Sequence, residues 1–306
     1  MGNCTSEDID TKNQKNKKKP NPNFKPIPDQ YETLEEVQAA LHKAGLETSS
    51  LVIGIDYTKS NVKQGKDSFN GKCLHFLEED NYNPYQRVIH VMGRTLSGYN
   101  DDDEKLLCYG FGDKSTRDAD AFPMYKDVYT QTWASNVAEL QSIYTSITPQ
   151  IILSGPTNYA PLIYKAIKAC KGNESTRFRS VYHILIIIAD GLVVNEQETI
   201  DAIIEASEYP LSIILVGVGD GPFDQAEEFD DGLPARQFDN FQFVHFDQVI
   251  RDAKKNGQNL DIAFAVNALM EIPDQFLAIK KLGLIGKEYP RPSANNNLTH
   301  PSAPHL

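Results

Sequence analysis

The sequence predicts an α/β fold, with a doubly wound, mostly parallel sheet flanked by helices. Two observations carry that expectation. The stretches at 51–55, 182–189 and 211–219 (LVIGI, YHILIIIA, LSIILVGVG) are nearly uninterrupted apolar runs. Strands of that kind are buried on both faces, as in a parallel sheet with helices on either side. Between the runs lie segments whose apolar residues recur at helical rather than strand spacing.

The elements follow in order. Residues 33–46 open with Thr33 and Glu36 spaced as a capping box and carry Leu34, Val37, Leu41 and Ala44 on one face. The strand at 51–55 comes next, then a helix over 84–96 and a strand at 106–112. A helix at 135–147 presents Val137, Leu140, Tyr144 and Ile147 on one side, and one at 158–170 presents Tyr159, Leu162, Ile163, Ala166 and Ile167. The strand at 182–189, a helix at 196–208 and the strand at 211–219 follow. A strand at 241–246 and a helical 260–272 close the pattern. No repeat or linker interrupts it.

Composition sets the ends apart. Residues 1–29 are rich in Lys, Asn and Pro with few apolar residues, and 289–306 are rich in Pro, Asn and Ser. Both are expected to be disordered tails around a single domain at 30–288. The net charge of −12 argues against nucleic acid as the partner, because neutralising phosphates takes a basic face. The four cysteines, at 4, 73, 108 and 170, form no CxxC pair and fit a reducing compartment. No run of about 18 apolar residues suggests a membrane span, and no apolar stretch of signal-peptide type opens the chain. The expected location is cytoplasmic.

In a doubly wound sheet, ligands bind beyond the carboxyl ends of the strands, near the point where strand order reverses. The polar residues that follow each apolar run are therefore the informative ones. Asp56, Thr58 and Ser60 follow the first run at i, i+2, i+4, and Asp190-Gly191 follows the run at 182–189. Thr157 lies in a Ser-Gly-Pro-Thr loop ahead of a helix. Two carboxylates and three hydroxyls are hard oxygen donors, suited to Mg²⁺ or Mn²⁺ ahead of Ca²⁺ and unsuited to zinc or copper. With only two negative charges the ion stays electrophilic, and an outside group must complete its shell. The carboxylate of an Asp or Glu on a protein partner is the natural candidate, so the chemistry is recognition.

These segments carry a resemblance. Asp56-Tyr-Thr58-Lys-Ser60-Asn61, Gly155-Pro-Thr157-Asn-Tyr-Ala-Pro161 and Ile188-Ala-Asp190-Gly191 resemble the metal-ion-dependent adhesion site of the copine-type von Willebrand factor A domain. Residues 31–286 are also similar to the A domain of plant RING-type ubiquitin ligases of the copine class, including Gly110-Phe-Gly-Asp113, Asn83-Pro-Tyr85 and Met270-Glu-Ile-Pro273. The resemblance implies that Thr58, Ser60 and Thr157 ligate the ion directly and that Asp56 and Asp190 act through water. It also implies an interaction module, or an adaptor of the ubiquitin-conjugation machinery. Where copines carry two C2 domains this sequence has only a polar tail, and no cysteine follows Cys170 to build a RING. Lipid binding through C2 domains and ubiquitin-ligase catalysis are therefore not expected of it.

Enzymatic alternatives are weaker. An aspartate phosphotransferase needs an acid two residues after the nucleophile, where Thr58 stands. Neither a GxSxG elbow nor a GxxxxGK(S/T) loop occurs. Gly217-Val-Gly219-Asp-Gly221-Pro222 faintly suggests a dinucleotide loop, but its third glycine is misplaced and Pro222 spoils the helix start. His183 sits inside a buried run as a core residue, and His42, His75, His90 and His245 lack metal-ligand spacing. Asp113 either orders a metal-bound water or stands solvated at a strand end.

The N-terminus offers a second function. Met1-Gly2-Asn3-Cys4-Thr5-Ser6 fits the myristoylation pattern at Gly2, Cys4 is placed to take a palmitoyl group, and Lys12, Lys15, Lys17, Lys18 and Lys19 form a basic run. One acyl chain holds a protein marginally and a second signal makes attachment stable. The expected site is the cytoplasmic face of the plasma membrane or an endomembrane, with the nucleus as the other candidate location.

Overall fold

The computed structural model describes residues 20–287 apart from 29, 97–105, 128, 132, 172–180 and 234. α1 (Leu34–Ala44) leads into β1 (Ser50–Asp56), followed by α2 (Pro84–Leu96), β2 (Leu107–Phe111), β3 (Ala121–Pro123), α3 (Val137–Ile147) and α4 (Ala160–Cys170). β4 (His183–Ala189), α5 (Glu196–Ala206), β5 (Leu211–Gly217), α6 (Asp224–Asp231) and β6 (Phe241–His245) come next. α7 (Phe246–Lys255), α8 (Leu260–Leu269) and α9 (Ile272–Lys281) complete the order.

The strands form one sheet in the order β3-β2-β1-β4-β5-β6. Every pairing is parallel except β2 with β3. The chain steps outward from β1 to β3, returns to the centre and then steps outward from β4 to β6. Strand order therefore reverses between β1 and β4. Ile55 lies level with Ile188, so Asp56 and Asp190 leave the sheet at the same end.

Two apolar layers explain the continuous runs. Ile53, Ile55, Ile184, Ile186, Ile188, Ile214 and Val216 point to one face, where α1, α2, α3, α8 and α9 cover them. Val52, Leu185, Ile187, Ile213 and Leu215 point to the other, under α4, α5 and α6. Alternate residues thus serve opposite layers, and a strand buried on both sides has no polar position to spare. Gly54 lets α4 sit close on β1, since a Cβ there would lie 2.0 Å from Leu162 Cδ2. At the start of α1, Thr33 and Glu36 form the predicted capping box, and Gly45 ends the helix in the left-handed region.

Four elements escape the sequence pattern. β3 is three residues long and ends on Pro123, too short for a period and placed at the sheet edge, where proline is tolerated. α6 is mainly acidic and lacks a side-chain cap. α7 follows β6 without an intervening turn. The helical stretch predicted at 260–272 is two helices, because the chain breaks at Met270–Glu271 and restarts with Pro273 in the first turn. Residues 260–281 are long and apolar enough to cross a membrane, yet 67% of that window is buried inside the fold.

Of the stretch 1–29, residues 20–28 are described and lie against the loop before β6. Asn21 donates to the Arg236 carbonyl at 3.0 Å, Ile27 N–H donates to Asp239 Oδ2 at 2.9 Å, and the Phe24 ring lies 4.8 Å from the Arg236 guanidinium. Gly2, Cys4 and the lysines at 12–19 fall outside the described residues, as does the stretch 289–306.

Candidate metal centre

The three polar segments meet at the carboxyl ends of β1 and β4. Asp56 is the last residue of β1, and Asp190 is the first after β4. After Asp56 the chain enters a short 3₁₀ turn at Lys59–Val62. Thr58 pairs with Ser154 as an isolated bridge, and Lys59 N–H donates to the Ser154 carbonyl at 2.7 Å. Thr157, three residues before the start of α4, accepts Val194 N–H on its carbonyl at 3.0 Å. Tyr159 Oη donates to the Gly191 carbonyl at 2.8 Å. These contacts tie the first segment to the second and the second to the third.

The side chains form a chain of hydroxyls. Thr58 Oγ1 lies 2.7 Å from Ser60 Oγ, and Ser60 Oγ donates to Asp190 Oδ1 at 2.8 Å. Ser60 has one proton, so with Asp190 taking it the Thr58 hydroxyl donates to Ser60. Asp56 Oδ1 accepts Thr58 N–H at 2.7 Å. Thr157 is buried, and its hydroxyl takes no partner among the described residues. Asp56 Oδ2 and Asp190 Oδ2 are also buried without a hydrogen-bond partner there.

Two unpartnered buried carboxylate oxygens are costly unless the groups are neutralised. Burial pushes the Asp56 carboxyl up to about 6, against the opposing effect of its hydrogen bonds from Thr58. Burial, reinforced by the charge of Asp56, pushes Asp190 up to about 8. Among the described residues, the groups that shift the two acids are hydroxyls, backbone N–H groups and the acids themselves, with no cationic side chain. The donor set therefore fits a divalent cation, which would favour the charged form of both acids. All five residues singled out from the sequence (Asp56, Thr58, Ser60, Thr157 and Asp190) come to this rim.

A buried polar scaffold, not legible as a site in the sequence, stands behind Asp56. Asn61 donates to the carbonyls of Asp56 and Thr58 at 3.3 and 3.1 Å and accepts from Tyr85 Oη at 2.7 Å. His75 Nε2 donates to the Asp56 carbonyl at 2.8 Å, leaving Nδ1 to accept from Tyr144 Oη at 2.8 Å. Its ring stacks between Tyr57 and Tyr85, at 4.7 and 4.1 Å between centroids. Burial pushes its pKa down to about 4, which keeps the imidazole neutral. Asn61 and the Asn83-Pro-Tyr85 string are visible in the motifs, whereas nothing in the spacing of His75 points here. His183 is a core residue, as its place in the run suggests, with Nδ1 donating to the Val181 carbonyl.

Two further strand-end features find structural explanations. Asp113 is neither solvated nor free to order a water. Its Oδ2 accepts from Ser115 N–H and hydroxyl at 3.0 and 2.6 Å, and its Oδ1 accepts from the Thr116 N–H at 3.0 Å and from the Thr116 hydroxyl. Beside it, Gly112 sits at φ +78°, where a Cβ would lie 2.3 Å from Thr58 Cγ2. The glycines of the 217–222 loop serve packing instead of phosphate binding: a Cβ at Gly219 would lie 2.6 Å from the Gln64 carbonyl oxygen.

The chain is similar to known proteins over most of its length. Residues 73–288 match the family model described as Copine. The chain is 45% identical over 285 residues to E3 ubiquitin-protein ligase RGLG2 of Arabidopsis thaliana, covering 89% of this chain and 58% of that protein. It is 47% identical over 255 residues to Copine family protein 2 of Caenorhabditis elegans, covering 83% of this chain and 3% of that protein. The chain thus spans little more than half of the plant relative and a small part of the nematode one. Among solved structures, the manganese-loaded Plasmodium vivax TRAP protein aligns with a TM-score of 0.43 at 12% identity, over 68% of this chain and 73% of that one.

Proposed function

The chain belongs to the copine family, and on that premise we propose that residues 30–288 form a divalent-metal-dependent protein-interaction domain. The observation that carries this reading is the pair of buried, unpartnered oxygens on Asp56 and Asp190 beside a hydroxyl set. Thr58, Ser60 and Thr157 would hold Mg²⁺ or Mn²⁺ directly, with Asp56 and Asp190 supporting through water. The bound ion supplies an electrophile that accepts a carboxylate from an Asp or Glu of a partner protein. Around it, Asn61 and His75 hold the backbone at Asp56, and the Tyr159 bond to Gly191 holds the loop after Asp190. A retention experiment tests the reading: the full chain is immobilised and exposed to cell extract in Mg²⁺ or in EDTA. Proteins held only in Mg²⁺ support it, and identical retention in both contradicts it.

A second reading, as an adaptor within ubiquitin-ligase machinery, is favoured by the identity to a plant E3 ligase. The catalytic RING would then be supplied by another chain. Ubiquitin-conjugating enzymes in the Mg²⁺-dependent fraction would support it, and their absence would leave the first reading standing alone.

We further propose a tether at the cytoplasmic face of a membrane, through a myristoyl group on Gly2 supported by palmitate on Cys4 or by the lysines at 12–19. What supports this is the sequence pattern, since the rest of the chain is acidic and repelled by anionic lipid. Gly2→Ala releases the protein to the cytosol on fractionation if the reading holds. A Gly2→Ala protein that still sediments with membranes contradicts it.

A further inference from the structure

The surface around the metal centre is divided by charge. Residues 152–154 form a short extended piece held between two loops: Thr58 pairs with Ser154 on one side and Asp113 with Leu153 on the other. The same piece accepts Lys59 N–H on the Ser154 carbonyl and Lys114 N–H on the Ile152 carbonyl, at 2.7 and 2.9 Å. Lys59 and Lys114 therefore lie on opposite edges of this piece, whose Ile152 is 61% exposed. Lys63 follows on the 3₁₀ turn, one residue past the exposed Val62.

None of these three lysines makes an ion pair among the described residues, although acids outnumber bases 42 to 30 in the chain. Across the centre the rim is apolar. Val194, 67% exposed, is fixed beside Thr157 by its N–H, with Leu192 exposed just before it. The acids on that side, Glu196 and Glu198, are engaged behind the rim by Gln225 and Asn158. Free cations and exposed apolar side chains on the same rim suit a ligand that is both anionic and apolar.

We propose that this rim docks an acidic peptide segment. One carboxylate reaches the metal ion, neighbouring carboxylates lie over Lys59, Lys63 and Lys114, and a flanking apolar side chain rests on Ile152 or Val194. The proposal rests on the metal-dependent reading above and narrows its partner from any protein with one exposed acid to a segment with several. A lipid surface is the weaker occupant: three lysines interrupted by the exposed Val62 and Ile152 make no continuous basic face, and the chain is acidic.

The test uses the full chain with fluorescein-labelled peptides, Leu-Glu-Asp-Glu-Ile and its single-acid counterpart Leu-Gln-Asp-Gln-Ile, in Mn²⁺ by fluorescence anisotropy. The three-acid peptide is expected to bind about fivefold more tightly, equivalent to about 1 kcal/mol, the sum of two exposed ion pairs. The preference shrinks as salt rises from about 0.05 to 0.5 M, as expected for exposed charges. In the doubly substituted Lys63→Gln, Lys114→Gln chain the preference shrinks or disappears, while Mn²⁺ still binds with a saturable heat. Equal binding of the two peptides by the wild-type chain overturns the proposal. So does a preference undiminished in the substituted chain, no binding of either peptide, or Mn²⁺-dependent binding to phosphatidylserine vesicles without peptide preference. A preference that persists in EDTA and shrinks or disappears in the substituted chain upholds the acidic ligand and removes the metal reading, so the two fail separately.

Discussion

Two clusters of buried carboxylates lie at opposite ends of the same sheet, and they are built on opposite principles. At the amino end of β6, carboxylate oxygens of Asp230, Asp239 and Glu271 lie within 4.8 Å of one another. Here the protein supplies its own cation: Arg236 is fully buried, with Nη1 2.8 Å from Asp239 Oδ1. Each acid also takes a donor from elsewhere. Ile27 N–H reaches Asp239, Phe243 N–H reaches Asp230, and Gln275 reaches Glu271. At the carboxyl end of β1 and β4, Asp56 and Asp190 have hydroxyls, backbone N–H groups and each other around them, no cation among the described residues, and one oxygen each without a hydrogen bond in good geometry. Proximity of acids therefore does not mark a metal centre. What distinguishes the two ends is whether the fold provides the positive charge.

The difference can be broken most forcefully at Arg236. Replacing it by Met leaves Asp239 buried without its ion pair, and the expected loss is about 3–5 kcal/mol in urea unfolding. Added Mn²⁺ would not restore that loss if the amino-end cluster is purely internal. A loss below about 1 kcal/mol would show that Arg236 is not the compensating charge.

The next effect belongs to Asp190 and carries a definite sign. Its folded pKa of about 8 lies above the ordinary value of 3.8, so the folded chain holds more protons than the unfolded one between those limits. Stability from this group is full below the unfolded value and is lost as pH rises through the folded one. His75, His183 and His245 have the opposite sign and are half titrated in the unfolded chain at 6.5, so they offset part of the loss above that pH, equally in the wild type and in Asp190→Asn. Between pH 6.5 and 8 the metal-free wild type should lose on the order of 1–2 kcal/mol relative to Asp190→Asn. Saturating Mn²⁺ should remove that relative loss. Urea midpoints of both proteins at the two pH values decide it. A metal-free wild type that tracks Asp190→Asn would mean that Asp190 already has a partner.

Asp113 gives the smallest effect and sharpens the rule. Both of its oxygens are filled by Ser115 and Thr116. Asp113→Asn should cost about 1 kcal/mol, the order of one net hydrogen bond, and should leave the Mn²⁺ affinity unchanged. A tenfold fall in affinity would bring Asp113 into the centre.

The parts of this arrangement that a sequence reveals are those written in periodicity and position. Two-sided burial makes β1, β4 and β5 continuous apolar runs, and the first polar residue after a run must lie at a strand end. Asp56 and Asp190 are legible for that reason. The pairing of Asp113 is not legible, because nothing in GFGDKST says which way Ser115 and Thr116 turn. His75 was hidden for a similar reason: it joins Asp56 through a backbone carbonyl 19 residues away, and backbone acceptors leave no mark on residue type. Arg236 has no periodic signal either, since its partners are Asp239, two carbonyls and a ring from the N-terminal stretch. Short or uncapped elements, β3 and α6 among them, carry too few residues for a period to emerge.

The claim that the carboxyl end of the sheet lacks its own cation is tested most directly by titration calorimetry with Mg²⁺ and Mn²⁺ on the wild type and on Asp190→Ala. The substitution removes one of only two carboxylates, and with it a buried acid held far above its ordinary pKa. The expected result is a saturable heat for the wild type and none for Asp190→Ala, in a protein whose circular dichroism and urea midpoint show it folded. Unchanged heats in the folded variant would contradict the assignment and place any bound ion elsewhere.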